Sequence, residues 1–79
     1  MSAYFITHDK VRADGSVRRA SNLGFNSTPD LEHARQILDN WAGMQDARRE
    51  GDMVVLPVRN EPGAITRMWI QDNEGRRVS

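Results

Sequence analysis

The stretch that decides the fold is Asn26-Ser27-Thr28-Pro29-Asp30-Leu31-Glu32. Thr28 offers a hydroxyl N-cap, Pro29 suits a first helical position that needs no N–H donor, and Asp30 and Glu32 place acids at the positive end of a helix. Beyond it, Leu31, Ala34, Ile37, Leu38 and Trp41 recur at three- and four-residue spacing, while Glu32, Arg35, Gln36, Asp39 and Asn40 fill the other side. The pattern predicts one amphipathic helix starting at Thr28. Met44 and Ala47 continue the stripe, and Gly51 after Arg48-Arg49-Glu50 is as good a C-cap as Gly43. The favoured reading is a helix to about Arg49, loosened at Gly43, with an end at Gly43 as the alternative.

Working toward the N-terminus, Ala3 to Thr7 is aromatic and β-branched, the composition of a strand, and a more polar stretch continues it to Ala13. Asp14-Gly15 then reads as a two-residue hairpin turn. The return strand runs from Ser16 to Phe25, weak because Arg18, Arg19, Ser21, Asn22 and Gly24 suit an edge or a bulge.

Toward the C-terminus, Asp52 to Arg59 contains a continuous apolar run that reads as a buried strand, with Pro57 marking an edge or an end. In Asn60-Glu61-Pro62-Gly63, Pro62 and Gly63 fit the central positions of a type II turn. A last strand follows from Ala64 to Gln71, Asp72 to Gly75 closes it, and 76–79 is expected to fray. The predicted order is β-β-α-β-β: a four-stranded antiparallel sheet with one helix packed on one face, a single α+β domain over 1–79. The expected core is Ile6, Leu31, Ile37, Leu38, Trp41, Val55 and Ile70, with Tyr4 or Phe5 depending on register.

Seventy-nine residues bury only a small core, so dimerisation would be a natural remedy for a thin stability margin. There is no cysteine, which excludes disulfides and thiolate metal sites. The start lacks the apolar run of a secretory signal and no run approaches a membrane span, so a cytoplasmic protein is expected. Eleven basic and eleven acidic residues cancel, and no global field draws the chain to nucleic acid or membrane.

Nothing at catalytic spacing stands out. His8 and Asp9 are strand neighbours that point to opposite faces, and His33 sits in the first helical turns as an ordinary surface residue. Two distant histidines and scattered carboxylates make no metal-ligand spacing, and the six glycines form no phosphate-binding loop. No catalytic residue, metal or cofactor is expected.

Two features carry functional content. Lys10, Arg12, Arg18 and Arg19 all lie on the first hairpin, where a two-residue turn sets Lys10 against Arg19 and Arg12 against Val17. Like charges so opposed would welcome an anionic partner; alternatively, they are solvated edge charges that discourage aggregation. Trp69 lies in the last strand with Arg67 and Ile65 on its face and Met68 and Ile70 on the other. If Met68 and Ile70 pack inward, Trp69 and Arg67 are presented together, a pairing enriched at protein interfaces. The opposite register buries Trp69 in the core.

In layout, the opening strand Tyr4-Phe5-Ile6, polar hairpin, capped helix from Thr28 and closing strand pair resemble small phage-encoded anti-CRISPR proteins and related accessory proteins of mobile elements. The resemblance implies a non-catalytic inhibitor that sterically blocks a crRNA-guided Cas complex in the host cytoplasm. Nucleic-acid mimics are strongly acidic and this chain is neutral, so occlusion by shape is the form expected. The candidate contact residues are Lys10, Arg12, Arg18, Arg19, Arg67 and Trp69. The second reading is a small nucleic-acid-binding protein using the basic hairpin of residues 10–19. A third is an enzyme subunit or homo-oligomer with a site between chains.

Overall fold

A computed structural model describes residues 3–19 and 27–78. Its elements are β1 (Tyr4–Val11), β2 (Val17–Arg19), α1 (Leu31–Ala42), β3 (Arg48–Glu50), β4 (Met53–Pro57), β5 (Ile65–Asp72) and β6 (Arg77–Val78). The strands form one antiparallel sheet in the order β2-β1-β5-β4-β3. β1 lines one edge of β5 along its full length, so β6, paired through Ile70↔Val78, lies on the other edge in line with β4. The expected α+β architecture of one helix and an antiparallel sheet is present, with two short strands more than the four predicted.

Both extra strands come from segments read otherwise. The helix stops at Gly43, whose N–H reaches the Asp39 and Asn40 carbonyls, and Asp46 takes a left-handed φ of 66°. Arg48–Glu50 then pairs with β4 as β3 instead of extending the helix to Arg49. Gly51 allows this: at φ 63° it holds the first central position of the two-residue turn that joins Glu50 to Met53. The tail that was expected to fray from 76 instead pairs at Arg77 and Val78, and Val78 packs against the core.

The helix also starts later than predicted. Asp30 is the N-cap, accepting from the Glu32 N–H at 2.9 Å, while Thr28 is occupied in a β-bridge with Tyr4. Thr28 still contributes, because its hydroxyl accepts from the Asp30 N–H at 3.2 Å. Of the return strand predicted over Ser16 to Phe25, Val17–Arg19 is strand, and 20–26 lies outside the described residues.

The first hairpin has a three-residue loop. Arg12 N–H donates to the Ser16 carbonyl and Gly15 N–H to the Arg12 carbonyl, so Lys10 faces Arg18 and Val11 faces Val17. The expected pairs Lys10–Arg19 and Arg12–Val17 are therefore shifted by one residue. A two-residue type I′ turn needs positive φ at both Asp14 and Gly15; only Gly15 supplies it, and Asp14 instead accepts from the Ser16 N–H and hydroxyl.

The helix covers the sheet face that carries Ile6, Met68, Ile70 and Val54, and Ala34 and Leu38 complete the buried cluster. Leu31, Ile37 and Trp41, expected in the core, are partly buried at its border, as is Tyr4. Ile6, Leu38 and Ile70 are buried as expected. Val55 is also buried, but alternation along β4 puts it on the face opposite Val54.

Candidate partner-binding face

Alternation along the strands places Phe5, Thr7, Asp9 and Val11 of β1 and Ile65, Arg67, Trp69 and Gln71 of β5 on the face away from the helix. Cross-strand register turns these into rows. One row is Val17, Val11, Ile65 and Pro57; the next holds Asp9, Arg67, Val55 and Arg48; Thr7 and Trp69 follow. Met68 and Ile70 do pack inward, so Arg67 and Trp69 stand together on this face, both partly exposed.

Arg67 is held by Asp9. Its Nε and Nη2 donate to the two carboxylate oxygens at 2.8 and 2.5 Å, and Asp9 is only 4% exposed. The Asp9 hydrogen bonds keep the Arg67 guanidinium above its already high ordinary pKa, against the opposing effect of burial. A planar fork on a carboxylate is a directional contact, and it fixes Arg67 beside Trp69.

Arg77, in the segment expected to fray, lies over the Trp69 ring with its guanidinium carbon 4.5 Å from the ring centroid. Its Nη2 also reaches Met53 Sδ at 3.7 Å and its Nη1 lies 3.8 Å from Asp52. The tryptophan is thus framed by two arginines on neighbouring positions, one held by an acid and one by the ring itself. Arg77 was absent from the residues singled out in the sequence; the Arg-Arg-Val ending after a turn was the only sign of a returning strand.

The basic hairpin opposes like charges through a different pair than predicted, Lys10 with Arg18 in place of Arg19. Lys10 is on the helix side of β1 and bonds Glu61 at 2.8 Å, and Arg12 Nε lies 4.0 Å from the same carboxylate. The Lys10 hydrogen bond, with the charges of Lys10 and Arg12, holds the Glu61 carboxyl below its ordinary range. Arg18 faces Lys10, and Arg19 lies opposite Asp9. Glu61, which sequence reading placed only in a turn, removes part of the positive field of this hairpin.

A cleft of about 230 Å³ opens between α1 and the β3–β4 turn, floored by Leu38, Ile70 and Val78. The acids and bases at its rim are engaged with one another, Glu32 with Arg35 and Asp39 with Arg49. His8 and His33 sit on different elements, and His33 Nδ1 is 3.2 Å from the Thr28 hydroxyl, whereas His8 Nδ1 is buried without a hydrogen-bond partner among the described residues. Among the described residues no three His, Asp or Glu side chains come close enough to share a metal ion, and no helix is long and apolar enough to cross a membrane.

Compared with known protein families, curated proteins and solved structures, the chain matches none of them.

Proposed function

We propose that this is a non-catalytic protein-binding module whose contact surface centres on Trp69, with Arg67 and Arg77 beside it. The observation that carries the reading is the position of Trp69 on the sheet face away from the helix, under the Arg77 guanidinium. A partly exposed indole flanked by arginines is the composition of a binding hot spot, because the indole buries a large area with little loss of rotamer freedom and the Arg67 guanidinium is already held by Asp9. The basic hairpin supports nucleic-acid binding less well, since Glu61 neutralises Lys10 and adjoins Arg12. The partner class suggested by the layout is a crRNA-guided Cas complex, blocked by occlusion.

The test is an affinity pull-down of tagged protein from a CRISPR-bearing bacterial lysate, with and without nuclease, using the wild-type chain and the Trp69→Ala and Arg77→Glu variants. Stoichiometric recovery of one protein assembly, independent of nuclease and lost in both folded variants, supports the module; a Cas complex as that assembly supports the finer reading. Recovery of nucleic acid alone, or equal recovery by the variants, overturns it.

A further inference from the structure

Acids and bases are not equally presented on the sheet face away from the helix. In the Arg67–Asp9 pair the arginine side chain is 30% exposed and the aspartate 6%; in the Arg77–Asp52 pair the values are 47% and 26%. Arg48, which register places on the same face opposite Val55, likewise stands more exposed than its partner Glu50. In the two pairs that involve α1 the order reverses, with Glu32 more exposed than Arg35 and Asp39 more exposed than Arg49. A chain of zero net charge is thus two-sided, and around Trp69 it turns guanidinium groups outward.

Two of these guanidinium groups keep unused donors among the described residues. Arg67 gives Nε and Nη2 to Asp9, which leaves the N–H groups of Nη1 without an acceptor. Arg77 makes its one hydrogen bond to Met53 Sδ, a weak acceptor, at 3.7 Å, and the Asp52 carboxylate stays 3.8 Å away, beyond hydrogen-bond reach. Stacking on the indole orients the Arg77 plane without an acid's help. A held guanidinium with free N–H groups is matched in shape and charge by a carboxylate.

Nucleic-acid phosphates are the other common anions that arginine takes, but proteins that bind single strands add an aromatic face on which a base stacks. Here the Arg77 guanidinium occupies a face of Trp69, and the chain has no net positive charge to offset a phosphate backbone.

We infer that the partner's contact segment is an acidic stretch of polypeptide whose Asp or Glu carboxylates dock on Arg67 and Arg77 beside Trp69, with Arg48 within reach of the same stretch. The inference rests on the reading of this face as the protein-binding surface and adds the chemistry that it recognises. Arg48 lies two strands from Arg67 in one cross-strand row, about 10 Å, a distance that a few residues of extended peptide span.

The test is selection of short random peptides displayed on phage against the immobilised full chain, with the enriched sequences synthesised as probes. They are expected to be rich in Asp and Glu, to shift the Trp69 indole N–H resonance of labelled protein, and to bind less well as salt is raised. Arg77→Gln, checked for folding by circular dichroism, is expected to weaken a selected peptide about tenfold, the loss of one charge-assisted hydrogen bond. Arg35→Gln, on the helix side, is expected to leave its affinity unchanged. Neutral or basic peptides that shift the same indole resonance would overturn the inference and leave Trp69 as the centre of a protein-binding face. No enriched peptide, peptides that leave the indole resonance still, or tighter binding of an oligothymidylate to this face would overturn it as well. Recovery of a protein assembly through Trp69 in the pull-down is read independently, so the acidic partner and the proposed function fail separately.

Discussion

Asp9 and Arg67, 58 positions apart in the chain, face each other across β1 and β5 and form a two-pronged ion pair on the sheet face that the helix leaves uncovered. Asp9 is nearly inaccessible, and the Arg67 guanidinium binds both of its carboxylate oxygens. Arg67→Ala strands a buried carboxylate and is expected to cost about 2 to 3 kcal/mol in urea unfolding, at the lower end for a broken buried pair because Arg67 is partly exposed. Replacing both partners with Asp9→Leu and Arg67→Met is expected to recover most of that loss. A double variant as unstable as the sum of the two singles would show that the pair is not a coupled unit.

The two-residue strand β6 contributes through Val78, which packs on the core beside Ile70, and through Arg77 on Trp69. A chain ending at Gly75 is expected to lose about 1 to 2 kcal/mol, the burial of part of one valine and a cation–π contact. Its tryptophan emission is expected to shift to the red as Trp69 loses its cover, and Trp41→Phe in the same background isolates that signal. An unchanged melting curve would mean that the tail adds nothing to the fold.

Gly51 has nothing within 4 Å of where a Cβ would stand, so Gly51→Ala introduces no clash; its cost is the left-handed φ of 63° alone. That conformation costs a residue with a Cβ about 1 to 2 kcal/mol, and thermal unfolding is expected to show a loss in this range. A larger loss would point to a role for Gly51 beyond the turn, and none at all would mean the turn relaxes to another type.

Three carboxylates are held below their ordinary range: Asp14 by the Ser16 hydroxyl and N–H, Glu61 by Lys10, and Asp72 by the Arg76 and Glu74 N–H groups. A depressed folded-state pKa adds stability that is present above the unfolded carboxylate range, about pH 4, and is lost as the pH falls through the lower folded value. Stability measured by urea unfolding is therefore expected to be level from neutral pH to about pH 5 and to decline below it. Asp72→Asn, which keeps one acceptor for the turn, is expected to shallow that decline, and a slope identical to wild type would remove Asp72 from the account.

Much of the architecture was legible in local chemistry. The amphipathic stripe from Leu31 to Trp41, the Pro62-Gly63 turn and the opposite-facing neighbours Met68 and Trp69 depend on periods of 3.6 and 2 that the chain carries in itself. Glu61 O accepts from the Ala64 N–H at 3.1 Å around Gly63 at φ 85°, as the type II reading requires. Segments with two locally adequate answers were misread. Met44 and Ala47 continued a helical stripe, yet Met44 is 53% exposed, and Arg48–Glu50 gains more by closing a strand pair on β4 through Gly51.

The sequence by itself determined one helix within an antiparallel sheet, the inward-facing set of apolar side chains, and, conditionally on that set, the shared face of Arg67 and Trp69. Tertiary structure alone decided what those residues meet: Asp9 beneath Arg67, Arg77 over Trp69, Glu61 against Lys10, and the line from Val17 to Pro57. The reason is physical. Periodicity and turn chemistry act over a few residues along the chain, whereas cross-strand neighbours are set by register, and a single extra residue in the loop after Arg12 was enough to exchange every partner of the first hairpin.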